Sequence, residues 1–276
     1  MIEQVRPGIS AQHARVVLFD FDGTVSLIRA GWVDVMVPMM VELLAGLGTG
    51  ESEESLREMV EEFVGRLTGK QTMYQMIELA ARIEQRGGKP LDPLEYKKMY
   101  LERLHAKIAH RIEDLRNGRV SPEKYLVPGV RALLEALHAR GMKMYLASGT
   151  DQEYMRQEAD LLDVSRYFDG RVYGALDDYK SFSKKILIQR IIAAAECAGP
   201  NLLGFGDGYV EIENVKEVGG IAVGVATAEP ECRHVDQWKR KRLVGVGADF
   251  IVPNFLCHGE LLGLLFPDGR AQVKGG

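Results

Sequence analysis

The chain has 276 residues, room for one large domain or a core with an insert. Hydrophobic residues make up 46% and charged residues 27%, an ordinary balance for a globular protein. A formal net charge of −4 supplies no basic field for nucleic acid. No run of about 20 apolar residues exists to span a membrane, and the opening residues carry no apolar core like that of a signal peptide.

Residues 1–14 read as a loose lead-in. Val16 to Phe19 are apolar, two of them β-branched, and Gly23 closes the run, so a buried strand is expected at 16–21. From about 26 to 125 the pattern turns helical. Arg29 to Ala45 carries Val33, Val37, Met40, Val41 and Leu44 at helical spacing, and Gly46, Gly48 and Gly50 end it. Ser52 caps a second helix, with Ser55 as the alternative cap and Glu53 and Glu54 placed for its N-terminal dipole. A third helix is expected from Thr72 to Arg86 and a fourth from Pro93 to Arg116. After Pro128 and Gly129 the pattern alternates. Helices are expected at 129–140, 151–162, 183–197, 211–218 and 257–266, and strands at 143–150, 170–174, 201–206, 221–225 and 249–252. The basic run Lys239-Arg240-Lys241-Arg242 reads as a solvent-facing stretch of helix. Cys197, Cys232 and Cys257 are far apart and odd in number. They give neither a metal spacing nor a disulfide framework, so a reducing, cytoplasmic setting is expected.

Strands alternating with helices imply an α/β protein with a doubly wound parallel sheet, and the helical stretch at 26–120 is an all-helical insert in it. The core is then 1–25 with 121–276. In such sheets ligands bind beyond the carboxyl ends of the strands. Asp20, Ser148 and Asp207 all fall at such ends. Asp20 and Asp22 stand two apart, a spacing that puts strand side chains on one face. Two like charges there need compensation, which a hard cation such as Mg²⁺ supplies through oxygen ligands. An EF-hand loop is excluded, because Ile28, Arg29 and Ala30 follow where further oxygen ligands are required.

The run Asp20-Phe21-Asp22-Gly23-Thr24 resembles motif I of the haloacid dehalogenase superfamily. Ser148-Gly149-Thr150 resembles motif II, Lys184 after Ser183 motif III, and Gly206-Asp207-Gly208-Tyr209-Val210-Glu211 motif IV, with Glu211 where Asp is usual. The order is the superfamily's. The insert resembles the helical cap of its phosphoglycolate phosphatase and β-phosphoglucomutase-like branch.

The resemblance implies a Rossmann-like core, a cap and a set of roles. Asp20 is the nucleophile toward phosphorus, and Asp22 the general acid and base. Relatives acting on phosphonates or carbon–halogen bonds lack an acid at this place, so Asp22 points to phosphate esters. Asp20, the backbone carbonyl of Asp22 and Asp207 hold Mg²⁺, with Glu211 reaching it through water or Glu213 sharing the duty. Ser148, Gly149, Thr150 and Thr24 address the phosphate, and Lys184 offsets its charge. Lys180 and Lys185 compete with Lys184 for that role. Lys70, in the loop between the second and third helices, and Arg29 are the candidate substrate contacts on the insert side. The implied activity is hydrolysis of a small phosphate monoester, sugar phosphates included, through an aspartyl-phosphate. The implied partner is a small phosphorylated metabolite, with no nucleic acid and no membrane, the chain being a monomer or homodimer. A phosphomutase with the same motifs is the alternative, followed by a non-catalytic phospho-receiver or metal-dependent binding module.

Overall fold

A computed structural model describes residues 2–175, 184–194 and 199–267. The described residues form one seven-stranded sheet. Its strands are β1 (Glu3–Gln4), β2 (Val16–Asp20), β3 (Lys143–Asp151), β4 (Val172–Ala175), β5 (Leu202–Gly206), β6 (Ile221–Val225) and β7 (Phe250–Val252), in the order β1-β7-β6-β5-β2-β3-β4. All neighbours are parallel except β1, which runs antiparallel to β7. The lead-in is therefore anchored at its start. Glu3 and Gln4 pair with Ile251 and Phe250, and the amides of Val5 and Arg6 donate to the Asp249 carbonyl. A two-residue edge strand carries no periodicity from which it could be read.

The central strand β2 is buried along its whole length. Its alternation feeds two cores. Val17 and Phe19 enter the larger one, where the Phe19 ring stacks on Phe205 at 4.6 Å and meets Phe168 edge-on at 6.2 Å. Val16 and Leu18 enter the smaller one with Leu202, Ile212 and Ile251. Burying each such side chain contributes about 1.5–3 kcal/mol.

Four helices, α1 (Val33–Ala45), α2 (Glu53–Leu67), α3 (Thr72–Gln85) and α4 (Pro93–Arg116), follow β2, and a fifth leads into β3. Helix α1 starts four residues later than its apolar run. The amides of Ala30 and Trp32 bond back to Leu27 and Arg29 at 3.1 Å each, which holds 27–32 in tight turns. Ser52 is the cap of α2, its hydroxyl accepting the Ser55 amide at 3.2 Å. Asp92 does the same for α4 through the Leu94 amide at 2.8 Å, with Pro93 in the first helical turn. The remaining helices are α5 (Val130–Ala139), α6 (Gln152–Leu161), α7 (Lys184–Ala194), α8 (Tyr209–Glu217), α9 (Gln237–Gly245) and α10 (His258–Leu265). None of the described helices is long and apolar enough to cross a membrane.

Candidate active site

Asp20 is the last residue of β2 and is buried. Register places it beside Ala147 of β3, and Phe19 beside Phe205 of β5. Asp20, Ser148 and Asp207 therefore converge at the carboxyl side of the central strands, although β3 itself runs on past Ser148 to Asp151. β2 stops at Asp20, so Asp22 is placed by a turn and not by the pleat. The Phe21 carbonyl accepts the amides of Thr24, Val25 and Ser26, which winds the chain back on itself. Gly23 allows this with φ +75°, and a Cβ there would lie 2.4 Å from Asp207 Oδ2.

Motif II meets Asp22 directly. The hydroxyls of Ser148 and Thr150 donate to Asp22 Oδ2 at 2.9 and 2.8 Å, and the Thr150 amide donates to Ser148 Oγ at 2.9 Å. A register shift between Ala147 and Asp151 in the pairing of β3 with β4 bends this stretch. Asp22 Oδ1 is buried and has no hydrogen-bond partner among the described residues. A lone buried carboxylate oxygen is costly, so this one is suited to meeting a donor on a ligand.

Asp20, Asp22, Ser148, Gly149, Thr150 and Asp207 line a cavity of about 120 Å³ under the helical insert. From the insert side it is closed by Arg29, Lys70, Gln75, Lys97 and Tyr100. The loop between α2 and α3 lies directly on the motif loops. A Cβ on Gly69 would come within 3.3 Å of Gly208 Cα, and one on Gly149 within 3.4 Å of the Lys70 carbonyl. Lys70 Nζ lies 5.6 Å from the centre of the Tyr74 ring.

Arg29 is buried, contrary to what a charged residue after a turn suggests. Its Nε and Nη2 grip the Glu158 carboxylate at 2.7–3.1 Å, and Tyr154 lies 5.7 Å from the guanidinium. Burial pushes the Glu158 carboxyl up, against the pull of Arg29.

Thr24 takes a different place from the one the motif suggests. It is fully buried, outside the cavity wall, and its hydroxyl has no hydrogen-bond partner among the described residues. Glu211 is buried in the first turn of α8 and folds back over Gly206 and Gly208. A Cβ on Gly208 would lie 2.3 Å from its Oε2. Glu211 does not line the cavity, and Glu213 is exposed. Helix α7 begins at Lys184, but the side chains of Lys184 and Lys185, and all of Lys180, lie outside the described residues.

Sequence reasoning missed three charged groups. The basic run on α9 does not simply face solvent. Lys239 Nζ reaches Asp207 Oδ2 at 3.0 Å and Glu229 Oε1 at 2.8 Å. Burial alone would lower the pKa of Lys239, but Asp207 and Glu229 outweigh it and hold it above its ordinary value. Arg242, three residues on, donates to the carbonyls of Gly65 and Arg66 at the end of α2 and lies against the Trp238 and Tyr209 rings. Lys97 of α4 pairs with Asp151 at 2.6 Å. The only sequence signal was the three-residue spacing of Lys239 and Arg242, which shares one helix face.

Among the described residues no group of three or more His, Cys, Asp or Glu side chains is assembled to hold a metal ion. The expected set needs only two carboxylates, Asp20 and Asp207, with a backbone carbonyl. These hard oxygen donors suit a hard divalent cation. Asp207 also carries the Lys239 ammonium at 3.0 Å, so a divalent cation would share this carboxylate with a fixed positive charge.

A parallel sheet with a helical insert after its first parallel strand, and carboxylates and hydroxyls gathered at the carboxyl ends of its central strands, define an α/β protein with a polar cleft at the strand ends. The family model for haloacid dehalogenase-like hydrolases matches residues 14–219, and the chain belongs to that family. No curated protein matches it by sequence. Among solved structures it resembles a predicted phosphoglycolate phosphatase from Haemophilus somnus 129PT, at 15% identity over 90% of this chain and 98% of that one, with a TM-score of 0.58. CbbY from Rhodobacter sphaeroides, in complex with phosphate, is 17% identical over 91% of this chain and 99% of its own, with a TM-score of 0.55. A hydrolase of the same family from Deinococcus radiodurans R1, with bound phosphate and sodium, is 15% identical over 94% and 97%, with a TM-score of 0.54. At these identities the likeness is one of fold.

Proposed function

We propose that this chain is a Mg²⁺-dependent phosphatase of small phosphate monoesters, sugar phosphates among them, working through an aspartyl-phosphate on Asp20. The observation that carries the reading is the Asp22 carboxylate, held beside the end of β2 by the hydroxyls of Ser148 and Thr150. A carboxyl oriented by two donors, with its other oxygen buried and without a hydrogen-bond partner among the described residues, is equipped to exchange a proton with a reacting oxygen.

In this reading an Asp20 oxygen attacks phosphorus while the ester P–O bond breaks. Protonated Asp22 gives its proton to the departing oxygen. Water then attacks the phosphorus of the acyl phosphate and gives a proton back to Asp22. Inorganic phosphate leaves, and the Asp20 carboxylate is restored. Ser148, the Gly149 amide and Thr150 bind phosphoryl oxygens, and Lys184 offsets their charge. Asp20, Asp207 and the Asp22 carbonyl would hold Mg²⁺, which would supply positive charge between nucleophile and phosphate. Glu211 supports Asp207 from behind Gly208, and Thr24 serves the turn.

Residues 26–120 act as the cap over a core of 1–25 and 121–276. The cap excludes bulk water from the acyl phosphate. Lys70 and Arg29 face the substrate from it. Glu158 takes the Nε–Nη2 edge of Arg29, which leaves Nη1 for the ligand. The free thiols Cys232 and Cys257 go with a reducing compartment, the cytoplasm.

The test is phosphate release from a panel of small phosphate monoesters, with Mg²⁺ or with chelator, by the native chain and Asp20→Asn. Release that needs both Mg²⁺ and Asp20 is expected. Release by Asp20→Asn at the native rate would remove the nucleophile assignment. Transfer from a bisphosphate donor without net phosphate release would replace hydrolysis with a mutase reaction.

A further inference from the structure

Lys239 is not accounted for by the reaction above. It enters α9 in the first turn, where Asp236 caps the helix by accepting the Lys239 amide at 2.9 Å. Its side chain is only 15% exposed and ends on two carboxylates, Asp207 at 3.0 Å and Glu229 at 2.8 Å. Both carboxylates crowd the turn that carries Asp22. A Cβ on Gly23 would lie 2.4 Å from Asp207 Oδ2 and 3.2 Å from Glu229 Oε1. Both line the reaction cavity and also an adjoining cleft of about 610 Å³ between the insert and the sheet, and Lys239 lines only that second cleft. The ammonium thus reaches the carboxylates from outside the reaction cavity.

Asp20, Asp22, Asp151, Asp207 and Glu229 put five carboxylates at one cavity, Asp151 of them paired with Lys97, and a phosphate ester would add further negative charge. One fixed cation among them changes the local field more than any exposed lysine, because screening is weak in a buried cluster. We propose that Lys239 and Glu229 form a built-in charge pair that sets the affinity of Asp207 for the divalent cation, Lys239 lowering it and Glu229 raising it. Both are positioning residues. The inference rests on the metal reading given under Proposed function and extends it to side chains outside the four motifs.

The two charges make opposite predictions, which a scaffolding role would not. Mg²⁺ affinity is measured by titration calorimetry on the purified chain without substrate. Mg²⁺-dependent thermal stabilisation serves as a second readout. Lys239→Met is expected to bind Mg²⁺ about tenfold more tightly, and Glu229→Gln about tenfold more weakly. The double variant loses both charges and returns to within about threefold of native. Lys239→Arg keeps the charge and stays near native. If Lys239→Met alone fails to fold, Glu229→Gln against the double variant carries the same comparison, the second charge loss restoring affinity.

Shifts in the same direction for the two single variants, or no shift in either, with native binding intact, overturn the charge-pair inference and leave the metal reading standing. Absence of Mg²⁺ binding by the native chain overturns both.

Discussion

Lys97 of α4 and Asp151 at the end of β3 form an ion pair at 2.6 Å across the boundary between the helical insert and the sheet. The lysine side chain is 9% exposed and the carboxylate 22%, so water screens the pair little. Asp151 directly follows Ser148-Gly149-Thr150, and both partners line the cavity. The pair therefore ties the insert to the same stretch of chain that orients Asp22.

Lys97→Met should loosen that tie. Losing one partner of a charge-assisted, largely buried hydrogen bond costs about 1.5–3 kcal/mol. Part of this cost falls on closure and not on folding. The expected outcome is a raised KM for any substrate that needs the closed cavity, with faster limited proteolysis between α1 and α4. Unchanged KM and unchanged cleavage would mean that closure is held elsewhere, for instance by Arg242 on the end of α2.

The sheet was legible because each core strand is a short apolar run closed by a polar or glycine turn. Asp20 and Asp207 were legible because they sit at those closures. Charges that act over long sequence distance were not. Lys97 reads as one of two adjacent lysines on a helix, and its partner lies 54 residues away. Lys239 sits in a run of four basic residues, and nothing local tells which of them turns inward. Glu229 follows β6 in an irregular segment with no periodicity to read. The burial of Arg29 was not legible because Glu158, which makes it tolerable, is 129 positions on.

That Arg29–Glu158 pair gives a stability prediction. The side chains are 7% and 4% exposed, and three hydrogen bonds join them. Removing one charge strands the other in the interior, at a cost of about 3–5 kcal/mol. Glu158→Ala should lower the urea midpoint accordingly. The double variant Arg29→Met, Glu158→Met should recover most of the loss, since no charge is left unpaired. A double variant as unstable as Glu158→Ala would show that packing, not charge, dominates the site.

The hydroxyls on Asp22 give a kinetic prediction. Asp22→Asn keeps the shape but cannot carry a proton, and general acid–base catalysis contributes typically about 10²–10⁴-fold. Turnover should fall within that range, with the larger loss on esters whose leaving alcohol is a poor leaving group. Ser148→Ala with Thr150→Val removes both donors to Oδ2 and should also lower turnover. The comparison that decides is the dependence on leaving-group pKa. It steepens in Asp22→Asn if Asp22 is the acid and stays flat if Asp22 only holds the turn.

Cys232 and Cys257 should differ sharply toward alkylation. Cys257 is exposed. Cys232 is 1% exposed, and burial, reinforced by the negative charge of Glu229, pushes its thiol up to about 11. The thiolate is the reactive form, so at pH 8 Cys232 is both covered and protonated. Iodoacetamide on the native chain, read peptide by peptide by mass spectrometry, should modify Cys257 and spare Cys232. In urea above the unfolding transition the two should react at similar rates. The urea dependence of Cys232 labelling then reports opening of the segment that carries Glu229, beside Asp207. Labelling of Cys232 in the native chain as fast as Cys257 would mean that this segment opens without global unfolding.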